Sequence, residues 1–211
     1  AFLAIPLIEI TLFIQIGGAI GLGNNCVLVV ENSLIENNVS LQNGGGIRNN
    51  SIIPAGDISV LDTFDMVPFS DVVVIVPNIP RTQFKEILEN AVSRVEIVDG
   101  RWAQISGFSM EYNPAGTAQI VDADGNVLIP GDRVLNVTLD GGTPVVVGGA
   151  VVPGPDLNIA TIDFLANGGD FYPYRGAPFT RIGATYQQSL AAYIEDGLGG
   201  SITANSPGTT S

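Results

Sequence analysis

Residues 71–77, Asp-Val-Val-Val-Ile-Val-Pro, constrain the fold of this chain more than any other stretch. An unbroken apolar run leaves neither side of an extended strand suited to water, so the strand must lie inside a sheet covered on both faces. Its β-branched residues favour strand over helix. Directly after it comes RTQFKEILENAVSRV, in which Phe84, Ile87, Leu88, Ala91, Val92 and Val95 recur at helical spacing. A doubly covered strand followed by a helix with one buried face predicts helices layered on a sheet.

The rest of the chain is rich in strands. RVLNVTLDG (133–141) alternates, which places Leu135, Val137 and Leu139 inside and Asn136 and Thr138 outside. WAQISGFSMEY (102–112), VVVGGAVV (145–152) and LNIATIDFLA (157–166) add further strands. A second helix is predicted at 184–196, with Tyr186, Leu190, Tyr193 and Ile194 inward and Gly197 as its stop. Residues 24–36 read as helix or strand, because an asparagine cap precedes a β-branched run. The expected fold is an α/β layered sandwich, with mixed β-sheets covered by helices and a flexible tail at 199–211.

Composition narrows the chemistry. The 211 residues carry 8 Lys and Arg against 21 Asp and Glu, a net charge of −13. That balance argues against nucleic acid as a partner, yet a small anion is bound by local groups and is not excluded. With no histidine, Ser-His-Asp catalysis and histidine-ligated two-metal hydrolysis are excluded for these residues alone. Cys26 reads as a small buried apolar residue. The apolar opening 1–23 contains Pro6, Glu9 and Gln15 and has no flanking Lys or Arg, so a buried strand and a connection are favoured over a membrane span. Its first residue is Ala1, which reads as a processed product or a fragment.

Asp122, Asp124 and Asn126 in VDADGNV faintly resemble a calcium loop, but Asp-Gly between apolar runs favours a hairpin turn. The sequons at Asn38, Asn49 and Asn136 carry little weight in a chain this rich in Asn and Ser.

Three loops carry the residues of a binding site. LQNGGGIRNN (41–50) sets three glycines between Asn43 and Arg48. DMVPFSD (65–71) contains Phe69, and TIDFLANGGDFYPY (161–174) contains Phe164 and Asp170. Each has a structural explanation, a turn for the glycines and core burial for the phenylalanines. Taken together they suit a nucleoside. Two aromatic faces sandwich a base, a carboxylate accepts from ribose hydroxyls, and an arginine fork meets a phosphate.

The order LQNGGGIR, AGDIS, VPFSDVVVIV, FKEILENAVS, GRWAQISGFSMEYNP, GDRVLNVTLDG, LNIATIDFLANGGDFYP resembles the C-terminal domain of the 5′-nucleotidase / UDP-sugar hydrolase family. The likeness runs from about Leu41 to Leu198, and residues 1–40 match it weakly. It implies an α/β/β/α sandwich that binds nucleotide for an N-terminal metallophosphoesterase domain holding two divalent metals. It also implies an extracellular, periplasmic or cell-surface setting. Asn43 and Arg48 would contact ribose, base edge or phosphate; Phe69 and Phe164 would stack on the base; Asp170 would hold the ribose hydroxyls. No cofactor is expected on this chain.

Three departures from the family pattern stand out. The metal-binding domain is not among these residues, no arginine precedes Arg48, and Phe171 stands where a small residue usually follows Gly-Gly-Asp, which would narrow the pocket. The alternative is a non-catalytic structural or interaction module of an extracellular assembly, with a vestigial pocket. The Lys- and Arg-free residues 1–47 would then pack on another domain, or on a homo- or hetero-oligomeric partner.

Overall fold

The computed structural model describes residues 10–12, 57–97, 99–103 and 105–201. Among the described residues, ten strands and four α-helices follow in the order β1 (Ile10–Leu12), α1 (Val60–Met66), β2 (Val72–Ile79), α2 (Arg81–Ala91), β3 (Phe108–Tyr112), β4 (Ile120–Val121), β5 (Val127–Ile129), β6 (Val134–Leu139), β7 (Pro144–Val147), β8 (Ala150–Val151), β9 (Leu157–Ile162), α3 (Asp163–Ala166), β10 (Thr180–Thr185) and α4 (Tyr186–Ala192). One mixed sheet has the order β1-β9-β2-β10, a second the order β3-β6-β7-β8, and β4-β5 is a separate hairpin. In the first sheet only β1 and β9 run parallel. This is the α/β architecture expected, with one mixed sheet, one antiparallel sheet and helices against them.

β2 takes the interior place its composition demands, with β9 on one side and β10 on the other. Val73, Val74 and Val76 are fully buried, as are Ile159 and Ala160 of β9, so both faces of this pair are covered. α2 buries Phe84, Ile87, Leu88 and Ala91 as its spacing predicts, and Phe84 meets Phe108 of β3 edge-on at 5.3 Å. The helix ends at Ala91, short of the predicted 95, and the chain continues in turns through Glu96. Val92 and Ser93 take no further helical turn; the Ser93 hydroxyl donates to the Asn90 carbonyl at 2.7 Å. α4 also ends early and passes into a π-turn over Tyr193–Gly197, with Tyr186, Leu190, Tyr193 and Ile194 inward as expected.

The expected pattern of β6 is corrected at one residue. Val137 and Leu139 are buried, but Val134 takes the inward place assigned to Leu135, which is exposed. The cause is a bulge: Tyr112 pairs with Val134 and Glu111 with Asn136, which leaves Leu135 as the extra residue. The Asp-Gly turn forms as predicted. The Asp122 carboxylate accepts from the amides of Asp124 and Asn126 at 3.0 and 2.8 Å, and Gly125 adopts a φ of 83°.

Buried charges brace α2 to the second sheet. The Glu89 carboxylate accepts from the amides of Arg133 and Val134 at 3.0 Å each and from Lys85 at 2.9 Å. Arg81 donates to the carbonyls of Pro144, Val152 and Pro155. Arg133 donates to Gly116 and Val92 and pairs with Glu96. Each buried charge is thereby met by several partners, the condition under which burial of charge is tolerated.

Candidate nucleoside site

Two of the expected aromatic residues leave the same end of the first sheet. β9 ends at Ile162, which lies opposite Val73 near the start of β2. Asp163 then begins α3 and accepts the Val72 amide at 3.1 Å, which ties the start of β2 to the start of that helix. The Tyr186 amide donates to the Asp71 carbonyl at 3.1 Å, which brings the N-terminus of α4 to the same edge. Phe69 lies just before Asp71, and Phe164 just after Asp163. The two phenylalanines are 39% and 46% exposed.

The chain after α3 makes a tight turn, Gly169–Phe171, that presents Asp170 and Phe171. Gly169 lies close against the Phe164 ring: a Cβ there would come within 2.5 Å of it. Phe164 therefore lies on the turn that carries Asp170. Asp170 and Phe171 have φ of 50° and 61°. Outside glycine this left-handed region costs on the order of 1–3 kcal/mol per residue, and it persists only where surroundings enforce it. The enforcement comes from α2. Buried Asn90 donates its side-chain amide to the Asp170 carbonyl at 3.1 Å, and Gln83 donates to the carbonyls of Pro173 and Tyr174.

Behind the turn the structure is fully packed. Tyr172 and Tyr174 are buried and stacked, with ring centroids 6.4 Å apart. The Tyr172 hydroxyl donates to the Arg101 carbonyl at 2.7 Å, and burial pushes its pKa well above the usual phenol value. The Arg101 guanidinium lies over the Phe171 ring at 4.9 Å, with Asp99 at 3.8 Å. Burial and nearby Arg94 lower the Arg101 pKa, opposed by Asp99 and Asp170. The Asp170 carboxylate rests against Gly100, where a Cβ would lie 3.6 Å from Oδ2.

At the other end of the group, partial burial and the neighbouring Asp163 charge raise the pKa of Asp71. Asp163 also faces Arg181 at 3.5 Å.

Phe164 and the Asp170 turn thus lie together after β9, and Phe69 precedes the neighbouring start of β2, whereas Asn43 and Arg48 lie outside the described residues. The ambiguous segment 24–36 and most of the tail lie outside them too. The sequence reading missed Asn90, Arg101 and Asp71 as neighbours of the site. Asn90 left one trace, a polar amide inside the apolar stretch of a helix, where asparagine is a poor helix former.

Among the described residues no three His, Cys, Asp or Glu side chains come together as a metal site, and no helix is long and apolar enough to cross a membrane.

The family described as 5′-nucleotidase, C-terminal domain, matches residues 21–175, about three quarters of the 211-residue chain. The chain belongs to that family. The trifunctional nucleotide phosphoesterase protein YfkN of Bacillus subtilis (strain 168) is 29% identical over 134 residues, 64% of this chain and 8% of that protein. A 5′-nucleotidase precursor from Thermus thermophilus has a similar structure, with a TM-score of 0.55 and 24% identity over 72% of this chain and 27% of that one. The NAD nucleotidase of Haemophilus influenzae superposes with a TM-score of 0.52 and 16% identity, over 73% of this chain and 26% of that one. These two likenesses carry the fold. The chain spans less than a tenth of the Bacillus protein and about a quarter of the two solved structures.

Proposed function

We propose that this domain binds a nucleotide and positions it for a phosphoesterase domain that lies on another part of a longer protein or on another chain. One observation carries the reading: Phe164 lies against the turn that carries Asp170 at the end of β9, beside the start of β2 that Phe69 precedes, and both phenylalanines stay partly exposed. In this reading the base stacks between Phe69 and Phe164, Asp170 accepts from the ribose hydroxyls, and Asn43 and Arg48 meet the base edge or phosphate. The chain contains no histidine, and its described side chains gather no metal-ligating cluster that would fit a two-metal centre. Two divalent metals, and hydrolysis itself, belong to the other domain. Positioning accelerates a reaction by fixing the reacting groups in place. A secreted, periplasmic or surface setting accompanies this reading.

The test is titration of the 211-residue chain with adenosine and AMP, followed by NMR. Binding near millimolar, about −4 kcal/mol, is expected because only part of the contacts come from this domain. No shift up to about 10 mM overturns the reading.

A second reading is favoured by α1, whose Val60, Leu61 and Phe64 are exposed close in sequence to Phe69. Such an apolar stripe suits an interaction module, with residues 1–47 or a partner chain as its cover. Self-association without nucleotide binding is its signature.

A further inference from the structure

The family likeness gives no role to Phe171, Arg101 or Asn90. Phe171 adopts a left-handed conformation that glycine reaches without strain, yet it is an aromatic residue and 43% exposed. A partly exposed ring on a strained backbone costs stability, and the ring's contact is with the Arg101 guanidinium. The surrounding structure nevertheless holds both in place.

Arg101, with a side chain only 16% exposed, lays its guanidinium over the ring at 4.9 Å. Such a cation–π contact fixes the plane of the ring. The Arg101 backbone is itself tied to the next residue of the turn by the Tyr172 hydroxyl, and Asn90 holds the Asp170 carbonyl from beneath. Arg101 thus lies over the Phe171 ring and close enough to feel the Asp170 charge, while that carboxylate faces Gly100 and Gly169 faces the Phe164 ring.

We propose that Phe171 is a third aromatic wall of the nucleoside site, lying against the sugar that Asp170 holds, and that Arg101 and Asn90 are positioning residues for it. The inference rests on the nucleotide reading above. The ligand class is a nucleoside or nucleotide, because a wall at the sugar adds nothing for a free base.

The test uses the 211-residue chain titrated with adenosine and with adenine. Phe171→Gly relieves the left-handed strain, so its melting temperature rises while its affinity for adenosine falls roughly three- to ten-fold, the range of one aromatic contact. Its affinity for adenine stays unchanged. Arg101→Met weakens adenosine binding in the wild-type background and adds nothing in the Phe171→Gly background, and Arg101→Lys retains binding. A merely structural arginine would act equally in both backgrounds.

Adenosine bound as tightly or more tightly by Phe171→Gly overturns the proposal alone, as does an equal loss of adenine. Wild type that binds neither ligand overturns both this proposal and the nucleotide reading.

Discussion

Asp71 shows how a single carboxylate links the sheet end to pH. Its folded pKa is raised above the ordinary aspartate value, first by burial and then by Asp163. The ionised form is therefore disfavoured by folding. Its contribution to stability is full below about pH 4, the unfolded value, and is lost as pH rises through the folded value. Asp71→Asn should accordingly melt at a higher temperature than wild type at pH 7, with the difference shrinking to nothing in strong acid. Thermal melts of both proteins across pH 3–8 check this, and a variant less stable at pH 7 would show that the carboxylate is favourably paired.

Glu89 is a carboxylate with a bracing role, accepting from the backbone amides of Arg133 and Val134 at the start of β6. Glu89→Leu leaves both donors buried without a partner and should cost about 2–5 kcal/mol by chemical denaturation. A loss under about 1 kcal/mol would mean that water reaches the brace.

At the scale of elements, what could be read in advance depended on periodicity. β2 and α2 repeat their patterns over enough residues to name both the element and its buried face. Leu88→Ala, at a fully buried position of α2, should cost about 2–5 kcal/mol, measured by denaturant unfolding. The misplacement of Leu135 has a different origin. A bulge shifts the pattern by one residue, and its cause lies in pairing with Tyr112 and Glu111, far away in sequence.

β10 escaped notice because Thr180-Arg-Ile-Gly-Ala-Thr is an edge strand, largely exposed, with no apolar run. α1 escaped for its shortness, although Ser59 and Asp62 form a capping box readable from their three-residue spacing. Of the proposed site, Phe69, Phe164 and Asp170 sit in contiguous motifs, so the sequence alone names them as candidates. Asn90 and Arg101 were not legible, because only the folded chain brings them to the Asp170–Phe171 turn.

For the whole molecule the central matter is the division of labour between this domain and whatever completes it. The chain should not hydrolyse AMP, ADP or UDP-glucose when supplied with divalent metals, since no histidine is available to ligate them. Metal-dependent turnover by the purified chain would contradict that division. The most direct measurement of the central claim is a calorimetric or NMR titration of wild type, Phe164→Ala and Asp170→Asn with adenosine and with free adenine. The account predicts that Phe164→Ala weakens both ligands by about ten-fold or more, as loss of a base–aromatic stack should. It predicts that Asp170→Asn weakens adenosine and spares adenine, because the carboxylate meets only the sugar. Equal affinities across all three proteins, or no binding by any of them, would contradict it.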